Sequence, residues 1–168
     1  MRCIAETAPR VKSGLPASGT PTTQLRRFHP HDIPVVAEIV RDSLHENYDS
    51  SLYLSLGQQW PDGFLVAADA LGRPVGFLLG VMQVDHEGRI LMFAVDRAHR
   101  VQGIGTQLMT AFLERCRTQG LRRVTLEVRV SNATAIRFYT DFRFSVTDLL
   151  RTYYSDGEDG YQMARDTG

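Results

Sequence analysis

Arg89-Ile-Leu-Met-Phe-Ala-Val-Asp-Arg-Ala-His-Arg-Val-Gln-Gly-Ile-Gly-Thr106 changes character twice within one short span. The apolar run from Arg89 to Val95 predicts a strand. The polar segment after it, carrying Gly103 and Gly105, breaks that pattern. From Gly105 the apolar positions recur with a helical period: Leu108, Met109, Phe112, Leu113 and Cys116 share one side, while Gln107, Glu114, Arg115 and Arg117 take the other. Gly120 is placed to end that helix. The period then drops to two in Val124-Thr-Leu-Glu-Val-Arg-Val130, with Val124, Leu126, Val128 and Val130 on one face and Thr125, Glu127 and Arg129 on the other. Strand, helix and strand in this order imply a parallel crossover, so the class is α/β with a mixed sheet.

Upstream, Gln24 to Phe28 reads as a short strand and His31-Asp-Ile-Pro34 as a helix start. Asp32 is able to cap backbone N–H groups there, and Pro34 is tolerated in a first turn. Ile33, Val36, Ile39, Val40 and Leu44 follow at helical spacing, and a second short helix is expected from Ser51 to Gln59. Gly63 to Ala68 and Val75 to Met82 are apolar runs joined by Asp69-Ala-Leu-Gly-Arg-Pro74, whose residues favour a hairpin turn. After the polar turn Asp85 to Gly88, the strand ending at Val95 completes an antiparallel meander. Downstream, Ser131-Asn132 can cap a helix containing Ile136 and Tyr139, and strands are expected near Phe144 to Thr152 and Tyr161 to Arg165. No internal repeat is visible. Residues 1–23, rich in Pro, Ser, Gly and Thr, are expected to form a disordered extension ahead of one domain, 24–168.

Of the 168 residues, 19 are basic and 19 acidic, so the formal net charge is zero. Nucleic-acid binding driven by bulk electrostatics is therefore not expected. The cysteines, Cys3 and Cys116, have no CxxC spacing, and His29, His31, His45, His86 and His99 have no metal-ligand spacing, so neither a disulfide framework nor a bound metal is expected. No apolar stretch approaches the roughly 20 residues of a membrane span, and the N-terminus lacks the apolar core of a secretion signal, which gives a cytoplasmic expectation.

The segment between the central strand and helix places several unpaired backbone N–H groups at one point. Glycines let an anion approach closely and the helix dipole favours it, so a pyrophosphate fits, with Arg100 supplying a charge-assisted contact. Two glycines alone are equally consistent with a tight turn. A Walker loop would need Gly-Lys-Ser/Thr, whereas Thr106 and Gln107 follow Gly105; a dinucleotide fingerprint would need a third glycine where Leu108 stands.

The order Arg100-x-x-Gly103-x-Gly105 resembles the acetyl-CoA pyrophosphate loop of the GNAT N-acetyltransferases. Leu126-Glu-Val-Arg-Val-Ser-Asn-Ala-Thr-Ala-Ile-Arg-Phe-Tyr139 is similar to the "LEVR-SN-AI-Y" stretch of RimI and NatA-type enzymes, which acetylate protein N-termini. Tyr153-Tyr-Ser-Asp-Gly-Glu-Asp-Gly-Tyr-Gln-Met163 resembles the "YYADGEDAY-M" segment of the archaeal and eukaryotic NatA catalytic type, and Leu44-His-Glu-Asn-Tyr48 its "LPENY". Trp60-Pro61 falls where that group often has the same pair. The resemblance runs from about Gln24 to Arg165. Two departures stand out: His45 replaces the usual proline, and Arg143 stands where relatives often carry Gly or Asn, which is costly if that position has positive φ.

The resemblance implies a GNAT fold, a mixed and mostly antiparallel sheet with a splayed parallel pair and about four helices. It implies acetyl transfer from acetyl-CoA, without metal, to the α-amine of proteins or peptides beginning with small residues such as Ser or Ala, or with Met. Chemistry agrees, since an α-amine titrates near ~8 and a lysine near ~10.4, which makes the N-terminus the easier nucleophile to deprotonate. Cys116, on an apolar helix face, has no motif of an activated nucleophile, which favours direct attack.

Residue by residue, the resemblance places the acetyl-CoA contacts at Phe93, Ala94 and Val95, along Arg100, Val101, Gln102, Gly103, Ile104, Gly105 and Thr106, and at Asn132 and Tyr139. Tyr139 is the expected acid for the CoA thiolate, against the alternative of a core aromatic. Glu127 and Glu46 compete as general base; the alternative for Glu127 is a salt bridge, with Arg129 or another base. Glu46, Tyr48, Tyr153 and Tyr154 are expected at the substrate, although period two turns at least one of the paired tyrosines inward. The expected partners are protein N-termini, the ribosome or a nascent chain, with no membrane, and the chain is expected to be a monomer or weak homodimer. An acetyltransferase for a small-molecule amine and a non-catalytic acyl-CoA-binding module are the rival readings.

Overall fold

The computed structural model describes residues 23–168; of the expected extension only Thr23 is among them, and the rest of it lies outside the described residues. Thr23 itself shares a 3.3 Å hydrogen bond with the Gln107 side chain.

Strands β1 (Gln24–Arg27), β2 (Phe64–Ala68), β3 (Pro74–Gln83) and β4 (Glu87–Val95) form the expected antiparallel meander. Helices α1 (Ile33–Leu44) and α2 (Ser50–Gln59) lie between its first two strands. Helix α3 (Ile104–Thr118) leads from β4 into β5 (Arg123–Arg129), which pairs with β4 in parallel, as a strand–helix–strand crossover requires. Helix α4 (Ala133–Asp141) follows, and the last two strands, β6 (Ser145–Leu150) and β7 (Gly160–Asp166), form a hairpin whose second strand pairs with β5. The resulting order in one seven-stranded sheet is β1-β2-β3-β4-β5-β7-β6. No helix of the described residues is long and apolar enough to cross a membrane.

Two apolar layers sandwich the sheet. Leu108, Met109, Phe112 and Cys116 of α3, with Ala135, Phe138 and Tyr139 of α4, pack on one face against Leu78, Ile90, Phe93 and Leu126. Val36, Ile39, Val40 and Leu44 of α1, with Tyr53 and Leu56 of α2, cover Phe64, Val66, Phe77 and Ala94 on the other. Helix α3 lies so close to β3 that a methyl group at Gly80 would clash with the Phe112 ring.

The turn into α1 differs from expectation. Asp32 does not cap that helix. Its carboxylate instead takes Nη1 and Nη2 of Arg26 at 2.7 and 2.8 Å and the His29 N–H at 2.8 Å, tying β1 to the helix start. Burial opposes the charge on Asp32, but the Arg26 fork and the His29 N–H outweigh it and lower its pKa.

The central strand carries one irregularity. Leu79 pairs with Met92 and Gly80 with Ile90, so Leu91 is an extra residue, a β-bulge. Leu91 and Met92 consequently both face α1 and α2, whereas Ile90 and Phe93 face α3. The parallel ladder with β5 runs only through Glu87–Arg123, Gly88–Val124 and Arg89–Thr125. A bulge bends its strand and increases its twist, and beyond Arg89 the two strands part.

Candidate active site

The gap between β4 and β5 has a different lining on each side. At its β4 rim Phe93, Ala94 and Val95 are buried, Phe93 against the Phe138 ring of α4 at 5.7 Å. The chain then passes through a short 3-10 turn, Arg97–His99, into the glycine loop. Gly103 is the N-cap of α3, in the left-handed region at φ 81°, and offers no side-chain acceptor to the helix. The first intrahelical bond runs from the Gln107 N–H to the Gly103 carbonyl at 3.0 Å. The N–H groups of Ile104, Gly105 and Thr106 thus lack an intrahelical acceptor, and a Cβ built on Gly103 meets no atom within 4 Å. Val101 is also left-handed, at φ 65°, an unusual conformation for a β-branched residue. An open, glycine-capped helix start of this kind fits a pyrophosphate.

Arg100, expected at the phosphates, directs two nitrogens inward. Its Nε donates to the Val95 carbonyl and its Nη2 to the Ser43 hydroxyl, both at 3.0 Å, so it fastens the end of β4 to α1. Burial lowers its pKa, helped by the neighbouring Arg97 and opposed by Asp96. The Gln102 amide donates to the Ala98 carbonyl at 3.3 Å.

On the α3–α4 face, Asn132 fulfils the capping half of its expected role, its Oδ1 accepting the Ala135 N–H at 3.1 Å. Tyr139, seven residues further along α4, is fully buried between the rings of Phe138 and Phe144. Arg143, just past the helix, has φ 64°, the conformation that makes an arginine there costly.

The opposite face holds an open groove of about 440 Å³, lined among others by Arg89, Glu127, Tyr153 and Gln162. Glu127 is 3% exposed. Its Oε2 accepts Nε and Nη2 of Arg89 at 3.2 and 3.0 Å, and the same Nη2 donates to the Tyr153 hydroxyl at 3.3 Å. Glu127 is thus salt-bridged, with Arg89 as the partner. Arg129, the other base considered, points away to Asp156 and Glu158 at 2.8 and 2.7 Å and covers the Tyr154 ring at 4.1 Å. Through these contacts Arg129 clamps the β6–β7 loop onto the end of β5, and Glu158 adds a bond from the Ser131 N–H at 3.0 Å. Tyr154 is buried among the residues under α1 and α2, while Tyr153 is half-buried beside it. Glu46 and Tyr48 stand in the α1–α2 loop, half-buried, with Tyr48 packed on the same apolar layer. Glu46 has no ion-pair partner among the described residues. His45, at φ 54°, adopts a backbone that proline cannot.

The structure thus joins Glu127 to Tyr153 through Arg89, which composition and spacing do not single out. Its one signal in the sequence is that of a cation opening an apolar strand. The contacts of Arg129 and Ser43 are likewise visible only in three dimensions.

A mixed sheet whose parallel pair parts beside a glycine-capped helix defines an acetyltransferase fold. Residues 33–144 match the Acetyltransferase (GNAT) family, and the chain belongs to that family. Among its relatives are an N-alpha-acetyltransferase of Sulfolobus acidocaldarius, 35% identical over 153 residues that span 84% of this chain and 90% of that one, and the catalytic subunit of the Arabidopsis thaliana N-terminal acetyltransferase A complex, 38% identical over 127 residues, 73% and 66% of the two chains. The crystal structure of Ard1 from Thermoplasma volcanium superposes with a TM-score of 0.82 at 44% identity, covering 86% of this chain and 97% of that one. The protein is an acetyl-CoA-dependent acetyltransferase.

Proposed function

We propose that the protein acetylates the free α-amino group of protein N-termini, those beginning with small residues such as Ser or Ala and those beginning with Met. The observation that carries this reading is the two-sided gap: an anion-accepting helix start opens at the end of β4, and a tyrosine-bearing polar groove lies on the α1–α2 face. The similarity to N-alpha-acetyltransferases along most of the chain supports it.

Acetyl-CoA supplies a thioester whose C–S bond breaks as the amine forms the C–N bond. The backbone of Gly103 to Thr106 would hold the pyrophosphate, with Val101 and Gln102 shaping the loop, Arg100 bracing it and Asn132 lying beside the pantetheine arm. Main-chain donors at Phe93, Ala94 and Val95 would meet the acetyl carbonyl; preorganised donors of this kind are usually a large catalytic term. Tyr139, held among aromatic rings, would donate its phenolic proton to the departing sulfur. Glu46 and Tyr48 on one loop and Tyr153 and Tyr154 on the other would receive the substrate N-terminus. Glu46 and Glu127 would be the carboxylates that assist loss of the amine proton. Buried Cys116, its thiol pushed up to about 12, leaves attack to the amine itself.

The substrate partner in this reading is a nascent or finished polypeptide, met in the cytoplasm at or after the ribosome, and the enzyme acts as a monomer or weak homodimer. Peptides beginning Ser, Ala, Met-Leu and Met-Glu, each beside an N-terminally blocked copy with an internal lysine, test it. Turnover of the free N-termini alone is the expected result. Acetylation of the blocked copies, or of small amines only, overturns it.

A further inference from the structure

The groove beside Glu127 continues towards the start of β5. Arg123, which stands there, also lines a second open hollow of about 250 Å³ together with Arg143, Ser145, Thr147, Arg165 and Asp166. Strands make the floor of both. Glu127, Thr125 and Arg123 alternate down one face of β5, their partners Gln162, Ala164 and Asp166 do so on β7, and Ser145 of β6 lies beside Ala164. The apolar layer under α1 and α2 takes no residue from β5, β6 or β7, so this half of the face is left to polar side chains. Thr147 turns its hydroxyl onto the Gln162 carbonyl at 3.3 Å, and Gln162 belongs to the first groove.

The two ends differ in charge. The groove carries Glu87 and Glu127 against Arg89 and Arg123, whereas the hollow carries Arg123, Arg143 and Arg165 against Asp166 alone. Glu87 meets Arg123 only loosely, at 3.9 Å, and Arg143 and Arg165 form no ion pair among the described residues. Arg165 is anchored by Nη1 on the Phe142 carbonyl at 2.8 Å. Because the whole chain has 19 basic and 19 acidic residues, this cationic excess is local. Arg123 and Glu127 are four residues apart, about 13 Å along the strand. A polypeptide running extended beside β5 from an amine at the gap therefore reaches the hollow with roughly its fifth residue. A carboxylate arriving there would meet guanidinium forks, whose geometry suits it, and the Ser145 hydroxyl.

We propose that the hollow of Arg123, Arg143 and Arg165 is a distal substrate subsite for Asp or Glu side chains about four to six residues in from the acetylated N-terminus. The inference rests on the amine groove described under the proposed function and adds a substrate class to it: N-termini followed by acidic residues at that distance. Continuity with the groove through Arg123, and a chain without net charge, favour a peptide carboxylate over a nucleic-acid phosphate.

Peptides that share their first three residues and carry Glu, Gln or Lys at residues four to six test it, the shared start being the one that the wild-type protein acetylates fastest. The Glu series should exceed the Gln series by about five- to tenfold in kcat/KM, chiefly through KM, with the Lys series lowest. In 1 M salt, where charges are screened beyond about 3 Å, the ratio should fall below about twofold. Arg143→Gly relieves a left-handed backbone, so loss of the fold does not confound it; that variant and Arg123→Gln should each bring the ratio below about twofold at low salt, with the KM for acetyl-CoA at its wild-type value. Equal rates for Glu and Gln overturn the subsite. A preference that survives both substitutions does so too, as does one equally strong with the Glu block moved to residues ten to twelve, which marks a diffuse field. A short RNA that outcompetes the Glu peptides, and ceases to in the variants, gives the hollow to nucleic acid instead. Turnover of none of the peptides fails the N-terminal reading and the subsite with it, whereas turnover without a difference between Glu and Gln fails the subsite alone.

Discussion

The N–H of Phe144 donates to the carbonyl of Tyr139 at 3.0 Å, while the two rings meet edge to face with centroids 5.8 Å apart. With the Arg143 N–H on the Thr140 carbonyl at 2.8 Å, this is the helix-ending motif whose last turn needs a left-handed residue. Arg143 fills that place at φ 64°. A glycine there removes the Cβ strain and loses part of the gain to its freer unfolded chain. Arg143→Gly should stabilise the protein by about 0.5–1 kcal/mol and raise Tm by roughly 1–4 °C in calorimetry.

The Arg26–Asp32 pair should govern acid stability. Burial disfavours the Asp32 carboxylate, yet Arg26 and the His29 N–H hold its folded pKa below the unfolded value. Its stabilisation is therefore complete above the unfolded carboxylate pKa, near ~3.9, and is lost as pH falls through the lower folded value. Asp32→Asn should cost about 2–4 kcal/mol at neutral pH by leaving Arg26 uncompensated. Urea melts from pH 7 down to pH 2 should show the difference between the two proteins shrinking in that acid window.

Cys116 should be chemically silent. It is fully buried and its thiol is pushed up to about 12 by burial, so almost no thiolate exists near neutrality. Cys116→Ala should retain kcat within about twofold and lose only about 1–2 kcal/mol of stability. Initial-velocity lines for the two substrates should intersect, and mass spectrometry should find no acetyl group on the enzyme. Parallel lines with a trapped acetyl-enzyme would contradict direct attack.

Gly103 separates binding from stability. Its φ of 81° costs an alanine roughly 1–2 kcal/mol, about 2–8 °C in Tm, and the added methyl enters open space at the start of α3. Gly103→Ala should raise the KM for acetyl-CoA by about tenfold and leave the peptide KM unchanged. Isothermal titration with CoA checks the same point without turnover.

Tyr53 is wholly buried, and its hydroxyl has no hydrogen-bond partner among the described residues. Burial raises its pKa accordingly. Removing the oxygen ends a desolvation cost with no bond to lose, so Tyr53→Phe should be neutral or stabilising by up to about 1 kcal/mol. Thermal melts decide it, a fall in Tm pointing to a bond that the hydroxyl makes.

What the sequence revealed was local periodicity. Helix α3 and strand β5 announce themselves because their apolar positions repeat at 3.6 and 2, and their order dictates the parallel pair. The cap on α4 follows from Asn132 alone. Strand β4 is buried on both faces, so its composition carries no alternation that Leu91 could interrupt, and the bulge is silent. Pairings between distant residues are equally silent. Arg89 and Glu127 lie 38 residues apart, and Arg100 and Ser43 lie 57 apart. The two tyrosines illustrate the boundary: alternation tells that one turns inward, and only the Arg129 clamp settles that Tyr154 does.

Leu91 makes the gap at the centre of the sheet a matter of residue count. Shortened by that residue, β4 would run against β3 without interruption and keep Phe93 and Val95 on the side they now face, since the extra position shares its side with Met92. Nothing in the remaining register would then turn the strand from β5. The opening between β4 and β5 is thus written as an insertion rather than as a side chain.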